Sequence, residues 1–268
     1  MARRNFSETE EVWRSMAASN GIGKVHLWVP GLALLMVSSL VLGCLPATCA
    51  APAAGASFKE DFDKEKLGQE PKNFASLVGD WYVSEDHGNK VYSVDGRKWS
   101  KGKVAAGVAD KSRAIYGNRY AEFLDRVQAF AYYPITVYKP VDNFKNGEIS
   151  FRFKGVAGRI DQCAGVAFNI KPNGDYLIFR ANCLENNIVL WKYVQGKRSP
   201  VKWVYKIQTP PGQWFSLSMH VSGKKITGSL NGHPVFEFEY TEPIDGKVGL
   251  WSKADSVMYF DDFSVKKE

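Results

Sequence analysis

Residues 212–239, GQWFSLSMHVSGKKITGSLNGHPVFEFE, decide the fold class of this chain. From Phe215 to Val221 apolar residues alternate with serine and histidine, which is the period of a strand that buries one face. Ser222-Gly223 and Asn231-Gly232 are typical hairpin turn pairs, and each is followed by another short strand-like segment. The stretch therefore predicts a three-stranded antiparallel meander.

Similar signals extend over the rest of the chain from about residue 57. Ile149, Phe151 and Phe153 alternate with polar residues, and turn signals recur at the spacing expected for a β-sandwich. This part shows no long amphipathic pattern, although apolar positions between Tyr120 and Val127 favour one short helix. The fold class that we predict is all-β, with two antiparallel sheets.

The first 50 residues have a different character. Residues 27–45 contain no charged side chain and precede a run of small residues, which is typical of the apolar part of an export signal. Acidic residues near the start of the chain are unusual in such a signal, and translation from Met16 would remove them. The sequence predicts a signal, lipoprotein or anchor segment over 1–50, a short tether over 51–56 and a β-sandwich domain over 57–268.

Several ways of processing this segment compete. Residues Val41 to Cys44 resemble a bacterial lipobox, in which Cys44 would be lipidated, whereas the small residues around Ala51 would suit an ordinary signal peptidase. An uncleaved anchor is the third alternative. In each case we expect an exported bacterial domain that is periplasmic, anchored to the outer membrane or secreted, with the cell envelope and its membrane as partners.

The composition excludes some classes of protein. Hydrophobic residues make up 45% of the chain and charged residues 24%, which is the balance of a globular protein. The formal net charge is +7, but the lysines and arginines are scattered along the chain. We therefore expect solubility and weak attraction to anionic surfaces, with no nucleic-acid partner.

The predicted domain contains two cysteines, Cys163 and Cys183, and an exported protein meets an oxidising compartment. A hairpin loop at 172–174 would place these two residues opposite each other if no bulge intervenes. Directly opposed residues lie within bridging distance, so the sequence predicts a cross-strand disulfide between Cys163 and Cys183. Two buried free thiols are the alternative.

Four segments of the domain resemble one known family. The segment DYLIFRANCLENNIVLWKYVQGKR at 175–198, with those at 58–74, 212–239 and 246–265, resembles the bacterial concanavalin A-like family that includes 3-keto-disaccharide hydrolase domains and laminin-G-like lectin/glucanase domains. The resemblance implies a jelly roll of two sheets in which the last strand returns beside the first. It also implies sugar binding or sugar hydrolysis as functional classes.

Motifs for catalysis or metal binding are absent from the sequence. The Glu-x-Asp-x-x-Glu motif of the laminarinase-like relatives does not occur, and neither does a His-x-His, His-Glu-x-x-His or Gly-x-Ser-x-Gly pattern. The pair Asp261-Asp262 favours a β-bulge over a catalytic pair. We predict no cofactor and no metal site from side-chain spacing, and a structural calcium ion stays open.

The densest polar cluster surrounds the predicted hairpin. Strand parity places Tyr176 and Arg180 on the face opposite Leu177 and Phe179, where an aromatic ring and a guanidinium would meet a sugar on the concave sheet. The predicted ligand-binding residues are Tyr176, Arg180, Asn182, Asn186, Trp191 and Lys192. The alternative is structural, with Asn186 in a turn and Arg180 in an ordinary ion pair with Glu185.

Three functional hypotheses follow. The leading one is an exported domain that binds a glycan or cell-envelope saccharide through this face, so that Arg180→Ala would weaken binding and leave stability unchanged. The second is a hydrolase of 3-keto-disaccharides or glycosides, with Glu185 and Asp175 as its carboxylates. The third is an envelope scaffold that binds protein.

Overall fold

The computed structural model describes residues 55–98, 104–130 and 133–268. The predicted signal, the lipidation candidate Cys44 and most of the tether lie outside these residues, so their prediction stays untested. Within the described ranges, no helix combines the length and the apolar character that crossing a membrane requires.

The described residues form fifteen strands and two α-helices. The two helices, α1 (Val108–Tyr116) and α2 (Tyr120–Phe130), lie between the fourth and fifth strands. The strands are β1 (Ser57–Glu60), β2 (Phe74–Val78), β3 (Trp81–Asp86), β4 (Asn89–Asp95), β5 (Ile135–Tyr138), β6 (Gly147–Ala157), β7 (Cys163–Ile170), β8 (Tyr176–Asn182), β9 (Asn187–Val194), β10 (Lys197–Tyr205), β11 (Trp214–Ser222), β12 (Lys225–Leu230), β13 (His233–Glu239), β14 (Lys247–Ser252) and β15 (Val257–Lys267).

The strands build two antiparallel sheets. One has eight strands in the order β13-β12-β11-β6-β15-β4-β3, with β1 also paired to β15. The other has seven strands in the order β10-β9-β8-β7-β14-β5-β2. The predicted fold class is confirmed, and so are the meander β11-β12-β13 and the return of the last strand beside the first.

Two apolar clusters hold the sheets in place. The larger lies between the sheets and takes the inward residues of the alternating strands, such as Phe151 and Leu217. The second covers the outer face of the seven-stranded sheet, where Ile178 and Trp251 pack with Ile115 of α1 and Phe123 of α2. The seven-stranded sheet is therefore buried on both faces over much of its area.

The predicted helix is present as α2, but α1 was missed. Only Ser112 and Ile115 are fully buried in α1, although Val108 and Tyr116 also pack against the apolar cluster. The helix is short and more polar overall than α2, so its signal is weaker than that of the surrounding strands.

The predicted disulfide is wrong in this structure, and the reason lies in the register of β7 and β8. Lys171 pairs with Asp175 as expected, but Asn169 has a φ of 52° and marks an extra residue in β7. Cys163 therefore lies opposite Asn182 and not opposite Cys183. A shift of one residue moves a side chain to the other face of a sheet, and both cysteines are buried free thiols in different apolar clusters.

Candidate functional site

The predicted ligand-binding row lies on the face that strand parity indicated, but that face is covered. Tyr176, Arg180, Asn182 and Trp191 are 2%, 1%, 0% and 6% exposed, respectively. The second apolar cluster encloses this part of the outer face of the seven-stranded sheet. These four side chains are therefore structural here, which corrects the prediction that they contact a ligand.

Arg180 has protein partners for its charge. Its guanidinium donates to Oδ1 of Asn187 and lies 3.4 Å from Oε2 of Glu185, and Trp203 lies 5.9 Å away. Burial opposes the ionisation of Glu185, but the hydrogen bond from Asn187 and the charge of Arg180 outweigh it and lower its pKa. Glu185 is thus held as a carboxylate, which does not suit a general acid.

A second buried network closes the same end of the sheet. Asn182 donates to Oδ1 of Asp161 over 2.9 Å, and Nζ of Lys253 lies 3.0 Å from that carboxylate. Asp161 is 1% exposed, so its charge is stabilised by these two groups and not by water. Asn186 is exposed in the β8–β9 turn with a φ of 50°, as the structural alternative expected.

The predicted catalytic carboxylates do not form a pair. Asp175 precedes the first residue of β8 and Glu185 follows its last, so the strand separates them by about 20 Å at a rise of about 3.3 Å per residue. A retaining glycosidase needs its two carboxylates about 5 Å apart. Asp175 instead accepts from the amide of Gln195, and Lys192 pairs with Glu242 beside Tyr240.

A different group of polar side chains surrounds an open cavity on the outer face of the eight-stranded sheet. The cavity has a volume of about 450 Å³. We call it the β15 pocket, because the centre of β15 forms its floor. Its lining residues are Asp61, Asp63, Asp86, His87, Asn89, Arg152, Trp214, Asp261 and Asp262.

A β-bulge creates the floor of the β15 pocket. Asp261 pairs with Arg152, whereas the next pair is Ser264 with Ser150, so β15 has one residue more than β6. Asp262 lies in the bulge with a φ of 48°. Bulges redirect side chains, and both carboxylates here reach Nη1 of Arg152, Asp262 at 3.2 Å and Asp261 at 4.0 Å.

The β3–β4 hairpin forms one wall of the β15 pocket. Asp86 lies at its tip and accepts from Nζ of Lys154 over 2.8 Å and from the indole of Trp214 over 3.0 Å. Strands β4 and β15 separate β3 from β6, which is about 14 Å in a flat sheet. A lysine and an aspartate side chain do not span that distance, so the hairpin bends over the outer face.

The carboxylates of the β15 pocket differ in their environment. Burial raises the pKa of Asp261, which is 5% exposed, although the Asp262 amide and Asn89 donate to it. Burial also opposes the ionisation of Asp86, but hydrogen bonds from Lys154 and Trp214 prevail and lower its pKa. The guanidinium of Arg152 lies 4.9 Å from the Trp214 ring. The pocket thus combines hydrogen-bond acceptors with a cation and an aromatic ring.

The sequence predicted one feature of this pocket, the bulge in its floor, but not the residues of its wall. Asp261-Asp262 predicted the bulge correctly, but the pair was not included among the predicted ligand-binding residues. Among the described residues, no group of three or more histidine, cysteine, aspartate or glutamate side chains is arranged to hold a metal ion. The contribution of Asp86 and Asn89 depends on the bend of a hairpin, which strand periodicity does not encode.

Comparisons with known proteins place the fold. No family model matches the chain, and no curated protein matches it. Among solved structures, carbohydrate-binding module CBM66 from Bacillus subtilis superposes with a TM-score of 0.51 at 10% identity, over 72% of this chain and 96% of that one. A Bacillus subtilis protein of unknown function with a galectin-like fold gives a TM-score of 0.51 at 12% identity, over 80% of this chain and 97% of that one. The domain thus has the concanavalin A-like jelly-roll fold.

Proposed function

We propose that the domain binds a saccharide in the β15 pocket. The observation that carries this proposal is the convergence of Trp214, Arg152, Asn89 and the carboxylates of Asp261 and Asp262 in one open cavity of about 450 Å³. Ligand sites have volumes of this order, and a few placed polar groups give them specificity. The sandwich fold of a carbohydrate-binding module supports the same class of ligand.

The chemistry of the β15 pocket favours a polyol over an anion or an apolar molecule. Sugar hydroxyl groups donate hydrogen bonds to carboxylates and accept them from a guanidinium or an amide. Five aspartates line the pocket against one arginine, so an anionic ligand would be repelled. The predicted export segment supports a glycan or cell-envelope saccharide as the ligand in its natural setting.

Binding to a panel of ordinary and 3-keto disaccharides tests the proposal. Arg152 and Asp262 are 43% and 56% exposed in their side chains, so Arg152→Ala and Asp262→Asn should fold normally. We expect each to weaken binding of the best saccharide about tenfold or more, the scale of a lost charged hydrogen bond. Lys225→Ala, on β12 outside the pocket lining, is the control and should bind like the wild type.

Hydrolysis of the bound saccharide is the second candidate function. It is favoured by the presence of Asp261 and Asp86 in one cavity, where burial raises the pKa of Asp261 and hydrogen bonds lower that of Asp86, because an acid and a base for glycoside cleavage need such a difference. Product analysis of the same mixtures distinguishes the two functions: turnover that is lost in Asp261→Asn supports a hydrolase. Unchanged affinity in folded Arg152→Ala and Asp262→Asn would contradict the assignment of the pocket altogether.

A further inference from the structure

A second surface, remote in the sheet order from the β15 pocket, has the opposite charge. From Asn186 to Phe236 the sequence contains no aspartate or glutamate. The same stretch contains Lys192, Lys197, Arg198, Lys202, Lys206, Lys224 and Lys225. Four of these seven lie on β10 or directly after it, and β10 is the edge strand of the seven-stranded sheet.

A bulge in β10 gathers the relevant side chains on one face. Pro200 pairs with Trp191, and the next pair is Lys202 with Leu190, so one extra residue lies in β10. Residues five apart in a regular strand face opposite sides. With the extra residue, Arg198 and Trp203 share the outer face, and Tyr205 continues it. We call Arg198, Trp203 and Tyr205 the β10 platform.

The rings of the β10 platform pack in a row. Trp203 and Tyr205 are stacked with their centroids 5.4 Å apart, and Trp203 meets Trp191 edge to face at 5.2 Å. The guanidinium of Arg198 lies 4.2 Å from the Trp191 ring. Tyr205 is 66% exposed. The row thus runs from a buried indole to a ring that is open to solvent.

Unused hydrogen-bond donors lie beneath and within the platform. In the described part of the chain, Nε of Arg180 and the indole nitrogens of Trp191 and Trp203 are buried without a hydrogen-bond partner. Arg180 itself is 1% exposed. Buried donors are nearly always satisfied in proteins. Arg180 and Trp191 are core side chains, so of these three donors only the indole nitrogen of Trp203 belongs to the platform itself.

The cations around the platform are also unpaired. Across the described ranges, ion pairs involve most arginines and many lysines, but none joins Lys197, Arg198, Lys202 or Lys206 to a carboxylate. An edge strand with free cations attracts anionic ligands, and aromatic rings offer stacking surfaces for the apolar faces of sugar rings.

We propose that the β10 platform binds a polysaccharide that carries carboxylate or sulfate groups. Its sugar rings would lie on Tyr205 and Trp203, and its anionic groups would pair with Arg198 and with Lys206, which directly follows Tyr205. This site is independent of the β15 pocket, whose aspartates would repel such a chain. A single-stranded nucleic acid could also stack on aromatic rings, but the predicted export of the domain favours a glycan.

Polygalacturonate, with neutral dextran as the reference polymer, is the probe for this proposal. The wild-type chain should bind polygalacturonate and not dextran, with an affinity that falls as salt is raised. Tyr205→Ala removes an exposed ring, and we expect it to weaken binding about tenfold, as does Arg198→Gln with Lys206→Gln. Lys224→Gln with Lys225→Gln makes the same change of charge on the other sheet and should alter binding less than about twofold.

Three outcomes would overturn the proposal. Equal weakening by the Lys224/Lys225 control would show unspecific attraction by net charge, and full binding by Tyr205→Ala would exclude the platform. Tighter binding of a single-stranded oligonucleotide than of polygalacturonate would assign the surface to nucleic acid. Because Arg152→Ala leaves the platform intact, its polygalacturonate binding separates a failure here from a failure of the β15 pocket.

Discussion

Arg180 shows at the scale of a single residue how a charged side chain becomes part of a core. Its Cβ lies where the absence of a side chain on Gly165 leaves room, since a Cβ on Gly165 would approach it to 2.6 Å. Its guanidinium is then held by Asn187 and Glu185 under the Trp203 ring. Strand parity located this side chain correctly, but parity does not reveal what covers a face.

Arg180→Ala should therefore destabilise the domain. The change removes the partner of Asn187 and Glu185 and leaves a cavity in a buried site, which together cost about 2–4 kcal/mol. Urea unfolding at neutral pH measures the difference in the free energy of unfolding. Arg198→Ala, an exposed arginine on the same face, is the matched control and should change it by less than about 1 kcal/mol, because it loses only an exposed cation–π contact with Trp191. If Arg180→Ala unfolds at the same urea concentration as the wild type, the contacts of the Arg180 side chain do not contribute to stability.

At the scale of the element, one carboxylate holds the connection between β6 and β7. Asp255, in the β14–β15 turn, accepts from the backbone amides of Arg159, Ile160 and Asp161 at 2.7, 3.0 and 3.0 Å. Burial opposes its ionisation, but these amides outweigh burial and lower its pKa from the ordinary 3.8. A carboxyl group whose pKa is lowered by folding stabilises the fold at pH values above its ordinary pKa. That stabilisation is lost as the pH falls through the pKa of the folded state.

Asp255→Asn should lower the free energy of unfolding at neutral pH by about 1–3 kcal/mol, the scale of a charged hydrogen bond. The difference in the free energy of unfolding between this variant and the wild type should shrink as the pH falls below 3.8 towards the lowered pKa of Asp255. Urea titrations between neutral pH and about pH 2.5 measure it. Asp110→Asn, at a side chain that is 86% exposed, should show almost no gap at any pH. A difference in the free energy of unfolding that does not depend on pH would mean that the three backbone amides do not favour the charged form of Asp255.

Strand bulges explain most of what the sequence did not predict at this scale. The alternation of β6 and β11 predicted their faces correctly, because one-sided burial leaves a period of two. The extra residues at Asn169, before Lys202 and at Asp262 leave that period intact on either side and change only its phase. Each of the three alters a functional conclusion: the absent disulfide, the β10 platform and the β15 pocket.

At the scale of the whole molecule, the seven-stranded sheet is a wall shared by two apolar clusters. Every residue of β7 and β8 is buried, and the near-continuous apolar runs of these strands are the sequence signal of a sheet covered on both faces. The parity argument for β8 did not use that signal. The face was therefore expected to be open, although α1 and α2 and a layer of aromatic side chains cover it.

The two thiols test whether these clusters unfold together. Cys163 lies in the cluster beneath the helices and Cys183 in the cluster between the sheets, and burial raises the pKa of both thiols. Neither should react with an alkylating agent in the native, unreduced protein, and both should react after unfolding.

In a chain with Cys44→Ser and Cys49→Ser, further single replacements by alanine report each thiol alone. Because β7 and β8 form part of the boundary of both clusters, we expect the two thiols to become reactive at the same urea concentration, as in a two-state transition. Reaction of Cys163 at a clearly lower urea concentration would show that the helical layer opens before the sandwich. Resistance of both thiols in unfolded, unreduced protein would instead indicate a disulfide.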